Sequence, residues 1–283
     1  MRDIISVQSS VAFGYVGNRV AVFALETLGY PVIQINTVQF SAHTGHKGFA
    51  GQSFDRKHIQ ELFASLFAMD CVQNSGSLLS GYIGNRETGE VIVNNVLELK
   101  KCIPGFVYCC DPVMGDSPHG LYVRPEIADF FSSRALAVSD ILIPNHFEAC
   151  YLSKIQITTI DDAKRACDVL HHKGPRIILI TSYHKTDDGK IGFFLSDTEN
   201  QAVLETPRLF FSNTPKGTGD LVSSLFLAHF LSTANAVSSL EAAANTVFSI
   251  LKLTQNTNST ELALIEGREY LCNPELVYKA EIL

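Results

Sequence analysis

The sequence contains neither of the two glycine motifs by which nucleotide-binding folds are most often identified. No stretch of its 283 residues reads G-x-x-x-x-G-K-[S/T], and none reads G-x-G-x-x-G. Gly14 and Gly17, after the first apolar run, have the spacing G-x-x-G, which is not that motif. The sequence therefore supports neither a Walker A phosphate loop nor a dinucleotide fingerprint.

Long apolar runs and an excess of basic charge are also absent. No run approaches the roughly 18 residues that a membrane-spanning helix needs, and the first residues, "MRDIISVQSS", contain no apolar core of signal-peptide length. Acidic residues outnumber basic ones by 29 to 22, so the formal net charge is −7. This balance argues against a nucleic-acid surface, which usually needs a basic patch. We expect neither a membrane nor a nucleic acid as a partner.

The seven cysteines follow no disulfide or metal-binding pattern. There is no C-x-x-C and no paired His/Cys spacing, and Cys109 and Cys110 lie together in an apolar run. An odd, unpatterned set of cysteines is typical of reduced thiols. We therefore expect a cytoplasmic protein without structural zinc.

Short apolar, β-branched runs alternate with helical periodicity along most of the chain. In residues 58–70 the apolar side chains, starting at Ile59, recur at the spacing of one buried helix face. The alternation predicts an α/β fold with a mostly parallel central sheet and helices on both faces. The predicted strands are 4–8, 32–38, 78–83, 106–111, 141–144 and 176–182, and the helices among them are 18–29, 58–70, 90–102 and 161–174.

The pattern changes from about residue 190. Residues 190–197 and 201–207 predict two antiparallel strands joined by a polar turn, and two long helices follow at 220–232 and 236–255. No repeat, low-complexity tract or linker interrupts the chain. The simplest prediction is a single domain, residues 1–283.

The segment "TPKGTGDLVSSLF" (214–226) places two glycines directly before an apolar helix. The free backbone N–H groups at the start of such a helix can bind an anion, and glycine lets a ligand approach the backbone closely. The same residues are equally consistent with a plain glycine turn in which Asp220 is a favourable acid in the first turn. From the residues alone, both interpretations stay open.

Carboxylates follow two of the predicted strands. Asp111 and Asp116, in "DPVMGD", suit a hard cation such as Mg²⁺, although a solvated turn explains them as well. In "PNHFEA", Asn145 and Glu148 fit a capping box, and the alternative is that Glu148 helps to hold a metal–phosphate assembly. Ligands bind at the carboxyl ends of strands in such sheets, so these residues are candidates for the site.

Hydroxyl groups and histidines occupy the other strand ends. Ser9 and Ser10 follow the first strand, and Thr181 and Ser182 lie where they could contact phosphates, ahead of a polar turn running to residue 190. His43 and His46 have no third metal ligand nearby, so a metal there is not indicated. The convergence of several such strand ends with one glycine turn is more specific than any single one of them.

Taken together, these segments resemble the ribokinase superfamily and, within it, the pyridoxal kinases. "GTGD" and the N-x-x-E of "NHFE" match the superfamily, and "DPVMGD" and "SAHTG" match the vitamin B6 branch. The remaining matching segments, in chain order, are "SVQSSVAFGYVGN", "NTVQFSAHTG", "LLSGYIG", "DILIPNHFEA", "ILITS", "KGTGDL" and "NPELVYKAEIL". The resemblance implies a three-layer α/β/α ribokinase-like fold and ATP-dependent phosphorylation of the 5′-hydroxymethyl group of pyridoxal, pyridoxine and pyridoxamine.

The resemblance also implies residue roles. Asp220 would be the base, with Gly217, Thr218 and Gly219 stabilising the transferred group. The vitamer pocket would be lined by Ser9, Val16, Phe40, Thr44, Gly45 and Tyr82, in addition to Asp220. The ATP site would comprise Asp111, Asn145, Glu148, Thr181, Ser182, Asn213, Thr214, Pro215 and Lys216, together with Gly217, Thr218 and Gly219. Asp111, Asp116 and Glu148 would organise Mg²⁺.

Further implied properties are a homodimer, K⁺ as monovalent activator, and Zn²⁺ or Mn²⁺ as possible substitutes for Mg²⁺. One departure is Ile143, where some relatives carry a threonine, so a cation site there would depend on backbone carbonyl groups. We expect the helix terminus to keep Asp220 ionised, Phe40 and Tyr82 to sandwich the pyridine ring, and residues 115–126 to form a mobile flap. The alternatives are a hydroxymethylpyrimidine kinase of the same superfamily and a non-catalytic sensor of pyridoxal phosphate or nucleotide.

Overall fold

The computed structural model describes residues 2–185 and 189–283, and its centre is one ten-stranded sheet. The strand order is β12-β11-β10-β9-β8-β5-β4-β1-β2-β3, and the six strands from β9 to β2 in this order run parallel. The sheet strands are β1 (Asp3–Val11), β2 (Val32–Phe40), β3 (Gly51–Ser53), β4 (Ser75–Ser80), β5 (Val107–Cys110), β8 (Ile141–Leu142), β9 (Ile177–Lys185), β10 (Lys190–Ser196), β11 (Gln201–Pro207) and β12 (Glu281–Ile282). Two further strands, β6 (Gly115–Asp116) and β7 (Gly120–Leu121), pair with each other.

Helices cover both faces of the sheet. One face carries α1 (Asn18–Thr27), α8 (Thr218–Thr233), α9 (Ala236–Asn256) and α10 (Arg268–Cys272). The other carries α2 (Arg56–Ala68), α3 (Arg86–Cys102), α4 (Pro125–Phe130), α5 (Leu136–Val138), α6 (His146–Ser153) and α7 (Ile160–His171), with the π-helical segment Phe131–Ala135 between α4 and α5. The predicted fold class and layering are therefore confirmed.

Burial on both faces explains why the parallel strands carry apolar side chains on each side of the sheet. Side chains of β1 alternate between the two apolar cores, with Ile4 in one and Ile5 in the other, because successive residues of a strand point to opposite faces. Helix α8 is apolar nearly all round and its residues from Leu221 to Ala228 are buried, as expected for a helix packed between the sheet, α1 and α9.

The strand ends differ from the prediction in several places. Strand β1 continues to Val11 because β2 pairs with it there, so Ser9 and Ser10 lie within β1 and not after it. Residues 81–83 lie beyond the end of β4, and β9 continues past Ser182 to Lys185 because β10 pairs with it there. The polar turn predicted after Ser182 therefore begins later, and its residues 186–188 lie outside the described residues. The short strands β3, β6, β7 and β12 were not predicted, since two or three residues carry no periodicity.

Chain topology brings the functional candidates to one edge. The six parallel strands end side by side, so the residues after β1, β2, β4, β5 and β8 share one rim with the N-terminus of α8. Among the described helices, none is long and apolar enough to cross a membrane.

Candidate active site

Asp220 lies in the first turn of α8 and faces the loop that follows β1. Its Oδ2 accepts a hydrogen bond from the backbone N–H of Gly17 at 2.8 Å. Gly17 precedes α1, where its φ of 54° favours glycine, and a Cβ atom there would collide with Ser9. The first and eighth helices thus begin next to each other, with the carboxylate between them.

The two glycines before Asp220 have different structural roles. Gly217 precedes α8 with φ 89°, and a Cβ atom at this position would overlap the carbonyl oxygen of Tyr15. Gly219 faces open space, with no atom within 4 Å of where its Cβ would be. No side chain caps α8, so its first N–H groups remain available to an anion. Gly217 is required by packing, whereas Gly219 leaves room for a ligand.

A second carboxylate lies near Asp220, at the end of β5. Asp111 is buried, and its Oδ2 accepts a hydrogen bond from the Ser223 hydroxyl of α8 at 2.7 Å. Burial raises the pKa of Asp111 well above its usual range, and the negative charge of Asp220 raises it further. Two acids that are close and desolvated form a site suited to positive charge.

Burial also acts on Asp220 itself. It raises the pKa of Asp220 to about 6, against the opposing effect of the Gly17 hydrogen bond. We expect the helix terminus to keep this group ionised, and a pKa of about 6 leaves it mostly ionised at neutral pH, although desolvation opposes that effect. Asp220 can therefore exchange a proton near neutral pH, as a general base must.

Asn145 and Glu148 form the capping box predicted as one of two alternatives. The Asn145 side chain accepts the Glu148 N–H at 3.0 Å, and Glu148 accepts the Asn145 N–H at 2.9 Å. Glu148 also accepts the N–H of Met114 at 2.9 Å, which ties α6 to the loop after β5. Burial and the charge of Asp111 raise the pKa of Glu148. Glu148 therefore caps α6 and also lies beside Asp111.

Asp116 contributes a buried polar atom without a partner. Its Oδ1 is enclosed and has no hydrogen-bond partner among the described residues. A hard cation prefers such oxygen atoms. However, no three His, Cys, Asp or Glu side chains in the described ranges gather as a metal site. A cation held by any of these acids would therefore need further ligands beyond the protein side chains.

The predicted vitamer residues lie on the neighbouring strand ends. Ser9 contacts Gly17, Val16 is buried, and the Tyr82 carbonyl accepts a hydrogen bond from Thr37 of β2 at 2.6 Å. Phe40 makes an edge contact with Phe49 at 5.6 Å between ring centroids. Thr44 and Gly45 lie in an exposed loop, 41–50, beside the same rim. The ring sandwich by Phe40 and Tyr82 stays a prediction.

The predicted nucleotide residues occupy the other half of the rim. Thr181 pairs with Asn145 through a β-bridge, and Ser182 has φ 51°. Asn213 lines a cavity of about 100 Å³ together with Phe210, Gln255 and other residues. A larger cavity, about 380 Å³, lies at the opposite end of the sheet, around Asn235 and Ile282, away from these groups.

Three further predictions concern Ile143, the two histidines and residues 115–126. The side chain of Ile143 is packed in the core, so it offers nothing to a cation. The Nε2 of His46 lies 3.6 Å from Oε1 of Glu261, and the Nδ1 of His43 accepts the Gly45 N–H at 3.0 Å.

Residues 115–126 contain the β6–β7 pair and the start of α4, and residues 117–119 are exposed. Flap motion stays a prediction.

Sequence reasoning missed four residues of the site. Gly17 and Ser223 contact the two acids, and Glu261 contacts the loop after β1. Partial burial raises the pKa of Tyr122, and the nearby charges of Glu148, Asp111 and Asp220 raise it further. These contacts join residues that are far apart in the chain, and only the glycine at 17 carried a signal, as part of the G-x-x-G spacing.

Comparisons with known proteins identify the family and agree with the fold. The family model for phosphomethylpyrimidine kinase matches residues 24–263. A pyridoxal kinase PdxY of Granulibacter bethesdensis is 37% identical over 99% of both chains, and one of Photobacterium profundum is 34% identical over 100% of this chain and 98% of its own. A pyridoxal kinase from Leishmania donovani, solved with ADP and pyridoxamine, covers both chains fully with a TM-score of 0.93 at 27% identity. The chain belongs to the pyridoxal kinase family of the ribokinase-like fold.

Proposed function

We propose that this protein transfers the γ-phosphoryl group of ATP to the 5′-hydroxymethyl group of pyridoxal, pyridoxine or pyridoxamine. The observation that carries the proposal is the contact of Asp220 with Gly17 at the uncapped N-terminus of α8. The Asp220 carboxylate lies beside backbone N–H groups that no side chain caps. Phosphoryl transfer to an alcohol needs a base and donors for the negative charge, so this arrangement supports the proposal. Family membership and the neighbour solved with ADP and pyridoxamine support this substrate class.

In the proposed mechanism Asp220 activates the alcohol. Its Oδ2 is held by Gly17, so Oδ1 takes the hydroxyl proton as the oxygen attacks phosphorus. The N–H groups of Thr218 and Gly219 stabilise negative charge on the transferred group, and Gly217 fixes the turn that aims them. The open space at Gly219 lets the phosphate approach the backbone.

The nucleotide would lie along the rim beyond α8. We assign its phosphates to the 213–219 turn, Asn145 and Thr181, with Ser182 beside them. Asp111, Asp116 and Glu148 would hold Mg²⁺ together with the phosphates, and the ion would neutralise charge during transfer. The buried, unpartnered Oδ1 of Asp116 and the raised pKa of Asp111 support this assignment. We extend the proposal to K⁺ as activator, without a role for the Ile143 side chain.

The vitamer would lie over the ends of β1, β2 and β4. Ser9, Val16, Phe40, Thr44, Gly45 and Tyr82 are its proposed contacts. The buried Val16 and the partly buried Tyr82, whose pKa burial raises, supply an apolar surface for a pyridine ring. Residues 115–126 are placed to cover the reacting groups.

The assay that tests the function measures phosphorylation of four alcohols in parallel. These are pyridoxal, pyridoxine, pyridoxamine and hydroxymethylpyrimidine, because the matching family model is described for a pyrimidine kinase. We expect kcat/KM to be highest for one of the three B6 vitamers. Preference for the pyrimidine would move the chain to the other branch, and binding without turnover would identify a sensor.

The variant Asp220→Ala tests the mechanism. We expect kcat to fall by about 10³-fold or more, because a positioned general base contributes roughly 10²–10⁴-fold and the buried charge is lost as well. ATP affinity, measured by calorimetry, should stay near that of the wild type. Turnover close to that of the wild type would remove Asp220 from the role of base.

We also infer a homodimer and a cytoplasmic location. The first rests on the family resemblance, and sedimentation velocity measures it directly. Support for the second is that all seven cysteines are free thiols.

A further inference from the structure

Glu261 is a partly buried carboxylate that the proposed mechanism does not use. It lies in the loop between α9 and α10, where its backbone N–H donates to the Ser259 hydroxyl at 3.1 Å and that hydroxyl donates to the Glu261 carbonyl at 2.7 Å. Its side chain is 18% exposed. The loop therefore holds the carboxylate in a defined place.

The carboxylate contacts two loops from the other end of the chain. Its Oε2 accepts the backbone N–H of Tyr15 at 3.2 Å, and its Oε1 lies 3.6 Å from the His46 ring nitrogen. Position 14 must be glycine for this arrangement, since a Cβ atom there would lie 2.5 Å from Oε2 and φ is 90°. One side chain thus joins the loop after β1 to the loop after β2.

Both of these loops carry residues of the proposed vitamer pocket. Val16 follows Tyr15 directly, and Thr44 and Gly45 precede His46. The ring of Phe13 also makes an edge contact with His46, at 6.0 Å between centroids. The distance between the two loops, and hence the width of the pocket mouth, depends on what holds them together.

The histidines of the loop after β2 also lie near Glu261. Burial lowers the pKa of His43, and the charges of Lys216 and His46 lower it further, while the charge of Glu261 opposes them. Glu261 is therefore an acid that acts on both His43 and His46.

We propose that Glu261 is a positioning residue that sets the vitamer pocket by joining the loops 12–17 and 41–50. It acts through Tyr15 and His46 and does not contact the reacting atoms. The inference rests on the proposed function, because the pocket is assigned to the vitamer there. It adds a specificity-determining contact from a loop distant in the sequence.

Four variants test the kinetic consequence. Glu261→Ala removes both contacts, Glu261→Gln keeps an acceptor for Tyr15, and His46→Ala removes only the His46 contact. We expect Glu261→Ala to raise the KM for pyridoxal about tenfold, with the KM for ATP within about twofold of the wild type, since losing an acceptor for a partly buried N–H and a polar side-chain contact has effects of this size. Glu261→Gln and His46→Ala should each raise it about two- to threefold. Glu266→Ala, an exposed acid of the same loop, is the matched control.

Either of two outcomes would overturn the proposal. One is a KM for pyridoxal in Glu261→Ala equal to that of Glu266→Ala. The other is an equal rise in the KM for both substrates, which would indicate a general structural role.

Amide hydrogen exchange tests the link without relying on catalysis. In Glu261→Ala we expect faster exchange at Tyr15 and across residues 43–50, and no change in β4. If the wild type phosphorylates no vitamer, the proposed function fails while this measurement still reports on the link. If the wild type is active and exchange in Glu261→Ala is unchanged, the link alone fails.

Discussion

Asp220 and Asp111 are two acidic side chains that burial keeps from ionising easily. Folding moves both out of water, and among the described residues the Gly17 N–H and the Ser223 hydroxyl offset the loss of solvation. Their raised pKa values therefore record a cost to folding. Under the proposed mechanism, stability and activity are opposed at these two residues.

The variant Asp220→Asn should make this cost measurable. The folded pKa of Asp220 is about 6 and its model value is 3.8, so the folded state loses stability as pH rises from about 4 to about 6 and keeps that loss above it. Below about pH 4 both states are protonated and the contribution vanishes. Without ligands, we expect Asp220→Asn to exceed the wild type in free energy of unfolding by about 2 kcal/mol at pH 7.5, and by little at pH 4.

Urea denaturation at both pH values measures the difference. Glu266→Gln, on the exposed surface, should give the same stability as the wild type at each pH. A stabilisation by Asp220→Asn that is equal at both pH values would show that the gain does not come from titration.

Among the secondary-structure elements, the N-terminus of α8 carries most of the proposed chemistry. Its preceding glycine is fixed by the Tyr15 carbonyl, its second residue faces open space, and its third is the proposed base. Gly217 is required by its backbone conformation and packing, whereas Gly219 leaves room for a ligand. Substituting each by alanine separates packing from ligand approach.

Gly217→Ala should destabilise the fold by about 2 kcal/mol or more, because a non-glycine residue would have a positive φ and its Cβ would overlap Tyr15. Gly219→Ala should leave stability equal or raise it by up to about 1 kcal/mol, since alanine favours the helix. For nucleotide binding we expect the larger effect at Gly219: the variant Gly219→Ala should fold normally and raise the KM for ATP about tenfold. Thermal unfolding and steady-state kinetics on both variants measure this, and unchanged kinetics in Gly219→Ala would contradict phosphate approach at this residue.

A feature of a helix or strand could be predicted from the sequence when a few consecutive residues encode it. The capping box at Asn145 and Glu148 and the start of α8 were readable, because each is encoded within a few consecutive residues. The contacts of Gly17 with Asp220 and of Glu261 with Tyr15 were not, because they join opposite ends of the chain. Strand β9 ran longer than predicted because its partner β10, not its own sequence, extends it.

At the scale of the whole molecule, the proposed active site and the β12 edge lie at opposite ends of the sheet. The rim of strand ends holds the site, and the opposite end carries the β12 strand and the larger cavity beside it. Strand β12 pairs with β11 through Ile282 and Ala202, and the Leu283 N–H donates to the Gln201 carbonyl at 2.8 Å. Changes at this end should therefore affect folding alone.

Deleting residues 281–283 tests that separation. We expect a loss of about 1–3 kcal/mol in the free energy of unfolding, from a few backbone hydrogen bonds at the sheet edge. The kcat and both KM values should stay within about twofold of the wild type. A large loss of activity with little loss of stability would show that the two ends are coupled.

The hydrogen bond from Gly17 to Asp220 has a consequence for protein synthesis. The loop after β1 leaves the ribosome early, whereas α8 follows only after most of the sheet has been translated. A chain that ends before residue 213 therefore contains the proposed vitamer residues but lacks both the proposed base and the glycine turn. Under the proposed mechanism, we expect such a truncated chain not to transfer phosphate from ATP.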